Sequence, residues 1–170
     1  MARKIAFIVL LILCVVWTAF IFSNSLKDAG ESGEQSSGVT EKVNEVAQAV
    51  GIDREITHSE VRSMAHFGEF AVLSVLSAAT VSVGIYPKFK KKPPLLLLIC
   101  ASSVPLCFIL AAVDELLQKL SDGRASQFSD VMLDTLGALC GALIFTLGYT
   151  VFDFTANKIQ KTKGIFLKKR

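Results

Sequence analysis

Four long apolar stretches, separated by polar segments, constrain this chain more than any other feature of its sequence. They cover residues 5–22, 65–85, 95–113 and 131–152. Each approaches or exceeds the roughly 20 residues that an α-helix needs to cross a hydrocarbon core of about 30 Å. Because the stretches are almost continuously apolar, they lack the alternation expected of strands in a membrane β-barrel. The sequence therefore predicts an all-α, polytopic membrane protein with four transmembrane helices in one bundle.

The composition agrees with a membrane protein. Hydrophobic residues make up 52% of the 170 residues and charged residues 19%, against about 45–50% and about 25% in a typical soluble domain. All four cysteines lie within the apolar stretches. Thiols in such surroundings behave as small hydrophobic groups, so they indicate nothing about the redox compartment. The length fits one small membrane domain.

The order of polar and apolar segments divides the chain into four parts. Residues 1–22 are expected to form an uncleaved transmembrane anchor, because the apolar run is long for a signal peptide and "AFIFSNS" offers no small-residue cleavage site. The other parts are an extracytoplasmic loop with an amphipathic helix at 23–57, a three-helix core at 58–153 and a basic cytoplasmic tail at 154–170.

The basic residues predict the orientation in the membrane. The stretches "ARK", "YPKFKKKPP" and "NKIQKTKGIFLKKR" hold 12 of the 18 Lys and Arg residues, and 14 of the 15 acidic residues lie on the other side of the predicted spans. Since cytoplasmic loops are enriched in Lys and Arg, we expect both termini in the cytoplasm. The basic tail is expected to contact anionic lipid and not nucleic acid.

Local signals in the first polar segment predict a short amphipathic helix. Residues 23–38 are rich in Ser, Gly and Glu, which favours an exposed, flexible segment. The following "VTEKVNEVAQAVG" places its apolar residues on one helical face, and Gly51 is positioned to cap the helix. This face is expected to lie on the membrane surface or on the bundle. Its residues are Val39, Val43, Val46, Ala47 and Val50.

Two further signals predict where membrane helices begin and end. Thr57 and Glu60 have the spacing of a capping box, so the second membrane helix is expected to start near His58. The third is expected to continue past its apolar run to about Leu120 and to stop at Gly123. Pro105 makes this third span the least regular of the four.

Ionisable and amide side chains recur at helical spacing at the outward ends of three predicted helices. On two helices the spacing is i, i+4, i+7 and i+11, which places the residues on one face; we call these the polar stripes. They can meet at one level just below the outer surface. An arginine on the second helix and another in the turn between the third and fourth helices are expected near the mouth. The predicted pocket comprises Arg62, His66, Glu69, Asp114, Glu115, Gln118, Arg124, Asp130 and Asp134.

Two interpretations of this pocket stay open from the spacing alone. Burying charge in a membrane helix costs at least about 2.5–3.5 kcal/mol at its centre. In the first interpretation the pocket is structural, and the arginines neutralise carboxylates and hold the helices together. In the second interpretation the pocket binds a ligand or ion, which explains why its five carboxylates outnumber its positively charged side chains. Since like charges in a low-dielectric site disfavour ionisation, we expect a protonated carboxylate, in particular Glu69 or Asp134, or a bound cation.

Two segments, "RSMAHFGEF" and "DELLQKLSDGRASQFSDVMLDTLGALCG", resemble the VanZ-like membrane proteins. In that family an Arg, a His and a Glu share helix two, an Asp-Glu pair with a following Gln ends helix three, and a Gly-Arg turn leads to an Asp that opens helix four. The present chain carries Asp134 where many members have Asn. The matching positions are Arg62, His66, Glu69, Asp114, Glu115, Gln118, Gly123, Arg124, Asp130, Gly137 and Gly141.

The resemblance implies an integral protein of a bacterial envelope, and the founding member is associated with resistance to the glycopeptide teicoplanin. One hypothesis is an outward-facing pocket that binds an envelope or lipid-linked ligand, or a glycopeptide, and contributes to tolerance. The Gly137-x-x-x-Gly141 spacing indicates helix contact, here expected within the chain. The oligomeric state is not given by the sequence.

The same residues leave two chemical alternatives open. A membrane-embedded enzyme acting on a lipid head group can use His and carboxylates for acid–base work, and a proton-linked transport component can use them as a relay. No nucleophile motif stands out, and no cofactor is required. A divalent cation is compatible with candidate ligands His66, Glu69, Asp114 and Glu115.

The orientation can be tested by labelling. Cysteines introduced at Ser36 and Ser126 should react with an impermeant thiol reagent added to intact cells, because both positions are expected outside. A cysteine at Lys91 should react only after the cells are opened. Labelling of position 91 in intact cells contradicts the predicted topology.

Overall fold

The computed structural model describes residues 1–27, 29–89, 94–120 and 128–168, with the side chains of residues 29–36, 157 and 160–168 left aside. These residues form α-helices and one short 3-10 turn at Tyr86–Lys88, and no strand occurs among them. This confirms the all-α prediction. The helices are α1 Ala2–Ser25, α2 Ala29–Ala49, α3 His58–Gly84, α4 Leu95–Lys119 and α5 Phe128–Lys168.

Four helical segments are long and apolar enough to cross a membrane. They are Ala2–Ser25, His58–Lys88, Leu95–Lys119 and Phe128–Ala156. Helix α1 keeps most of its large apolar side chains exposed in the isolated chain, Ile12 and Val16 among them. Such a helix has no packed apolar partner on most of its surface, so lipid is its natural solvent. The four predicted spans and the polytopic fold are confirmed.

Helix α3 lies at the centre of the bundle, where it packs against each of the other four α-helices. Many of its buried side chains are small, including Ser74, Ser77, Ala78 and Thr80. Small residues allow helices to approach closely in an apolar solvent, where packing rather than hydrophobic burial drives association. The small-residue face of α3 therefore explains its central position.

Helices α3 and α5 approach each other closely at two glycines of α5. A Cβ atom added at Gly137 would collide with the carbonyl oxygen of Phe67, and one added at Gly141 would collide with the carbonyl oxygen of Ala71. The two glycines lie one turn apart on α5 and meet two positions one turn apart on α3. The backbones of the two helices thus touch directly, within one chain.

The local signals locate the helix ends well. The Thr57 side chain accepts from the backbone N–H of Glu60, the Glu60 side chain accepts from the backbone N–H of Thr57, and α3 begins at His58. Gly51 follows α2 with a positive φ of 84°, a conformation that glycine adopts without strain. Helix α4 runs through to Lys119 despite its internal Pro105. The expected stop at Gly123 lies outside the described residues.

Helix α2 is longer than expected. It begins at Ala29, so residues 29–38, expected to be flexible, are helical. Of the predicted apolar face, Ala47 is buried, while Val39, Val46 and Val50 are 52%, 64% and 69% exposed, as they would be on a helix that lies on the membrane surface. A reciprocal pair of hydrogen bonds joins α2 to the segment before α3: Nδ2 of Asn44 donates to the carbonyl of Ile56, and the N–H of Ile56 donates to Oδ1 of Asn44.

The predicted basic tail is largely helical. Helix α5 continues to Lys168, while the apolar part ends at Ala156. Residues 157–168 are therefore a helical extension beyond the membrane-spanning part. The last two residues of the predicted tail lie outside the described residues.

The glycine contact predicts a stability effect. Gly141→Ala should lower the free energy of unfolding by about 1–3 kcal/mol, because the new methyl group meets the backbone of α3, which cannot move aside without shifting the helix. Gly148→Ala on the same helix is the control, since nothing lies within 4 Å of a Cβ there. It should be neutral or stabilise by up to about 1 kcal/mol. Thermal unfolding in detergent measures both, and equal shifts contradict the contact.

Candidate functional site

A cluster of polar side chains forms where the ends of four helices meet. The C-terminal end of α1, the N-terminal half of α3, the C-terminal end of α4 and the N-terminal end of α5 each contribute to it. We call it the polar cluster. Its described members are Asn24, Arg62, His66, Glu69, Asp114, Glu115, Gln118, Asp130 and Asp134.

His66 lies between two carboxylates from different directions. Its Nδ1 is 3.7 Å from Oε2 of Glu69, one turn along α3, and 3.7 Å from Oδ2 of Asp114 on α4. Both distances are longer than a hydrogen bond, and both are short enough for strong attraction when the imidazole is protonated. The imidazole thus links the carboxylate of its own helix with that of α4.

The end of α4 buries an adjacent pair of carboxyl groups. Asp114 is 0% exposed and Glu115 5% exposed. Nε2 of Gln118, one turn later, donates to Oδ2 of Asp114 at 3.0 Å. This hydrogen bond fixes the orientation of the Asp114 carboxylate toward α3. The polar side chains near the C-terminal end of α4 are therefore almost completely shielded from water.

Asp134 on α5 completes the centre of the cluster. Its side chain is 2% exposed, and its Oδ1 has no hydrogen-bond partner among the described residues. One oxygen of Asp134 lies within 4.8 Å of a ring nitrogen of His66 and of a carboxylate oxygen of Asp114. Burying a polar atom without a hydrogen-bond partner is unfavourable, so Oδ1 of Asp134 lowers the stability of the fold.

Helix α1 holds Glu69 in place, a role that the sequence analysis did not assign to it. Nδ2 of Asn24 donates to Oε1 of Glu69 at 3.2 Å, and Nε1 of Trp17 donates to the backbone carbonyl of the same residue at 2.9 Å. Nζ of Lys27 in turn donates to Oδ1 of Asn24 at 2.9 Å. Trp17 and Asn24 are seven residues apart, two turns on one helical face, which is the signal that could have identified them.

A small cavity opens between α3, α4 and α5 beside the cluster. The space open to the centre of a water-sized sphere is about 10 Å³, which is room for about one water molecule. Ser63 and Leu133 belong to it in addition to the predicted residues. Its walls are Arg62, Ser63, His66, Gln118, Asp130, Leu133 and Asp134.

Of the two arginines expected at the mouth of the pocket, the structure describes Arg62 and not Arg124. Arg62 borders the cavity, but within the described part of the chain it forms no ion pair within 4.0 Å. Its guanidinium therefore does not neutralise Asp130 or Asp134 directly. Arg124 and Gly123 belong to residues 121–127, which lie outside the described residues.

The set of candidate metal ligands in the structure differs from the predicted set. The sequence suggested His66, Glu69, Asp114 and Glu115. The structure brings His66 and Asp114 together with Asp134, while Oε1 of Glu69 accepts from Asn24. One imidazole and two carboxylates from three helices can bind a cation or exchange protons.

Comparison with known proteins gives one match. The model of a family described as VanZ/LLP1 matches residues 8–149, a range that includes the whole polar cluster. No curated protein and no solved structure matches the chain.

The contrast between a paired and an unpaired group in the cluster gives a prediction. Asn24→Ala should lower the free energy of unfolding by about 1–3 kcal/mol, because Oε1 of Glu69 loses its donor. Asp134→Asn, measured with a chelator present, should leave stability unchanged or raise it, because the amide keeps the shape of a carboxyl group whose ionised form is costly to bury. Thermal unfolding in detergent compares the two. If Asp134→Asn unfolds as readily as Asn24→Ala, the account of Asp134 is wrong.

Proposed function

This chain belongs to the VanZ/LLP1 family, and we propose that it binds the polar end of a lipid-linked envelope ligand at its polar cluster. We further propose that it is a multi-pass protein of a bacterial plasma membrane and contributes to tolerance of teicoplanin-type glycopeptides. Four helices suited to crossing a membrane support the membrane location. Tolerance is suggested by the resemblance to VanZ-like proteins.

The proposed orientation has both termini in the cytoplasm. The distribution of Lys and Arg supports it. The polar cluster lies at the opposite end of the bundle from Arg3, Lys4 and Lys88, three basic residues near the start of α1 and the end of α3. In this orientation the cluster faces the outer side of the membrane, where envelope ligands are handled.

The single observation that carries the proposal is that Asp134 is buried beside His66 and Asp114 and that its Oδ1 has no hydrogen-bond partner among the described residues. A cluster retained for structure alone is expected to satisfy each of its buried polar groups. Here Asn24 donates to one oxygen of Glu69 and Gln118 donates to one oxygen of Asp114, while Oδ1 of Asp134, like Oε2 of Glu69, receives no donor from the described residues. Such an arrangement supports binding of a ligand or ion.

The size of the cavity limits what enters it. With room for about one water molecule, it admits neither a sugar nor an acyl chain. The ligand's hydrocarbon chain then stays in the bilayer, and its polar end reaches the rim of the cavity. Arg62 borders that rim and has a guanidinium suited to a phosphate. A lipid phosphate with a polar substituent therefore fits the chemistry best.

Deletion and complementation test this function. A strain lacking the protein should become more susceptible to glycopeptides within a panel of envelope-acting antibiotics, and the wild-type chain should restore tolerance. Arg62→Gln should fail to restore it, because the proposed phosphate contact is lost.

Arg54→Gln is the matched control. Arg54 forms an exposed ion pair with Glu60 at 2.7 Å and lies outside the cluster, so this variant should restore tolerance at an equal level of protein in the membrane. Unchanged susceptibility of the deletion strain to the whole panel contradicts the proposal, as does full complementation by Arg62→Gln.

A further inference from the structure

We propose that His66, Asp114 and Asp134 form a binding site for one divalent transition-metal ion. This inference deepens the proposed function and rests on it, since it takes the polar cluster to be a binding site. The polar cluster binds the metal ion, and the polar end of the lipid-linked ligand then contacts that ion.

The geometry fits one ion. A ring nitrogen of His66 and one carboxylate oxygen each of Asp114 and Asp134 all lie within 4.8 Å of one another. Ligand atoms on opposite sides of a divalent ion, with bonds of about 2.0–2.6 Å, are separated by about 4–5 Å. The three atoms are therefore close enough to share one coordination sphere. They come from α3, α4 and α5, so the packing of the helices sets the spacing.

Asp134 provides an independent indication of a ligand. Its side chain is 2% exposed, and Oδ1 has no hydrogen-bond donor among the described residues. Arg62 borders the same cavity but makes no ion pair with a described residue, so it does not neutralise Asp134 directly. A bond to a cation satisfies a buried carboxylate oxygen that would otherwise be costly.

The size of the cavity favours a metal ion over an organic cation. The cavity next to the three ligands is lined by His66 and Asp134 among others, and about 10 Å³ of it is open to the centre of a water-sized sphere, which suits one water molecule or one bare ion. An alkylammonium group is larger and carries a chain that has no room to follow. The space beside the ligands therefore favours a compact cation.

The ligand types indicate which ions are favoured. Imidazole suits zinc, iron and other transition metals, while carboxylates also suit manganese. Mg²⁺ and Ca²⁺ prefer oxygen ligands alone. Gln118 donates to Asp114, the kind of supporting hydrogen bond that orients ligands at metal sites. Three protein ligands leave at least one position for water or for a phosphate oxygen of the ligand.

Metal binding is tested on the full-length protein purified in detergent and stripped with a chelator. Mn²⁺ is the probe, with free ion measured by electron paramagnetic resonance, and Zn²⁺ is then tested as a competitor. The wild-type chain should bind one Mn²⁺ that Zn²⁺ displaces. Asp134→Asn should weaken binding by more than about tenfold, since even supporting residues at metal sites typically cost 10–100-fold.

Asp153→Asn is the matched control. Asp153 is an exposed carboxylate on the same helix, outside the polar cluster, and is not in the set of three converging ligands, so affinity should stay within about threefold of wild type, a change that a supporting residue at a metal site would exceed. Pulsed resonance of bound Mn²⁺ should show coupling to an imidazole nitrogen that His66→Gln removes. This second readout covers the case in which Asp134→Asn fails to fold.

Absence of Mn²⁺ and Zn²⁺ binding by the wild-type chain overturns the metal site, and so does equal loss in Asp153→Asn and Asp134→Asn. The assay contains neither lipid nor antibiotic, so its outcome is separate from that of the deletion strain. A metal-binding protein whose deletion has no phenotype overturns the proposed function alone. A protein that restores tolerance without binding metal overturns the metal site alone.

Discussion

The direct backbone contact between α3 and α5 is the constraint on which the candidate site depends. Gly137 packs on the carbonyl of Phe67, the residue that follows His66, and Asp134 lies one turn before Gly137. The absence of a side chain at position 137 therefore sets how near Asp134 comes to His66. A larger residue there would separate the helices and with them the three converging ligand groups. Packing and chemistry are coupled through one turn of helix.

The polar cluster shows how a membrane bundle tolerates buried carboxylates unequally. One oxygen of Glu69 accepts from Asn24, and one oxygen of Asp114 accepts from Gln118, which lowers the cost of burying those groups. Oε2 of Glu69 and Oδ1 of Asp134 have no hydrogen-bond partner within the described part of the chain. Hydrogen bonding thus orients Glu69 and Asp114 without using every buried carboxylate oxygen of the site.

Much of the architecture follows from the sequence because each signal is local. Long apolar runs predict spanning helices, the Thr57 and Glu60 pair sets the start of α3, and Gly51 ends α2 through its positive φ. The attachment of α2 to the rest of the chain was not predictable in this way. Asn44 joins α2 to the segment before α3 through two hydrogen bonds with Ile56. Those bonds join residues 12 positions apart, which helical periodicity cannot register.

The sequence by itself determined the class of the protein, its spans, its family resemblance and the residue types of the polar stripes, because hydropathy and helical spacing depend on neighbours along the chain. Only the tertiary structure decided which of those residues converge. In the structure Asp134 lies beside His66 and Asp114, and Glu69 accepts a hydrogen bond from Asn24 of α1. Arg62 lies at the rim of the cavity and forms no ion pair with a described residue. The physical reason is that each helix presents its stripe at a rotation and depth set by packing against the others, and these depend on contacts between residues far apart in the chain.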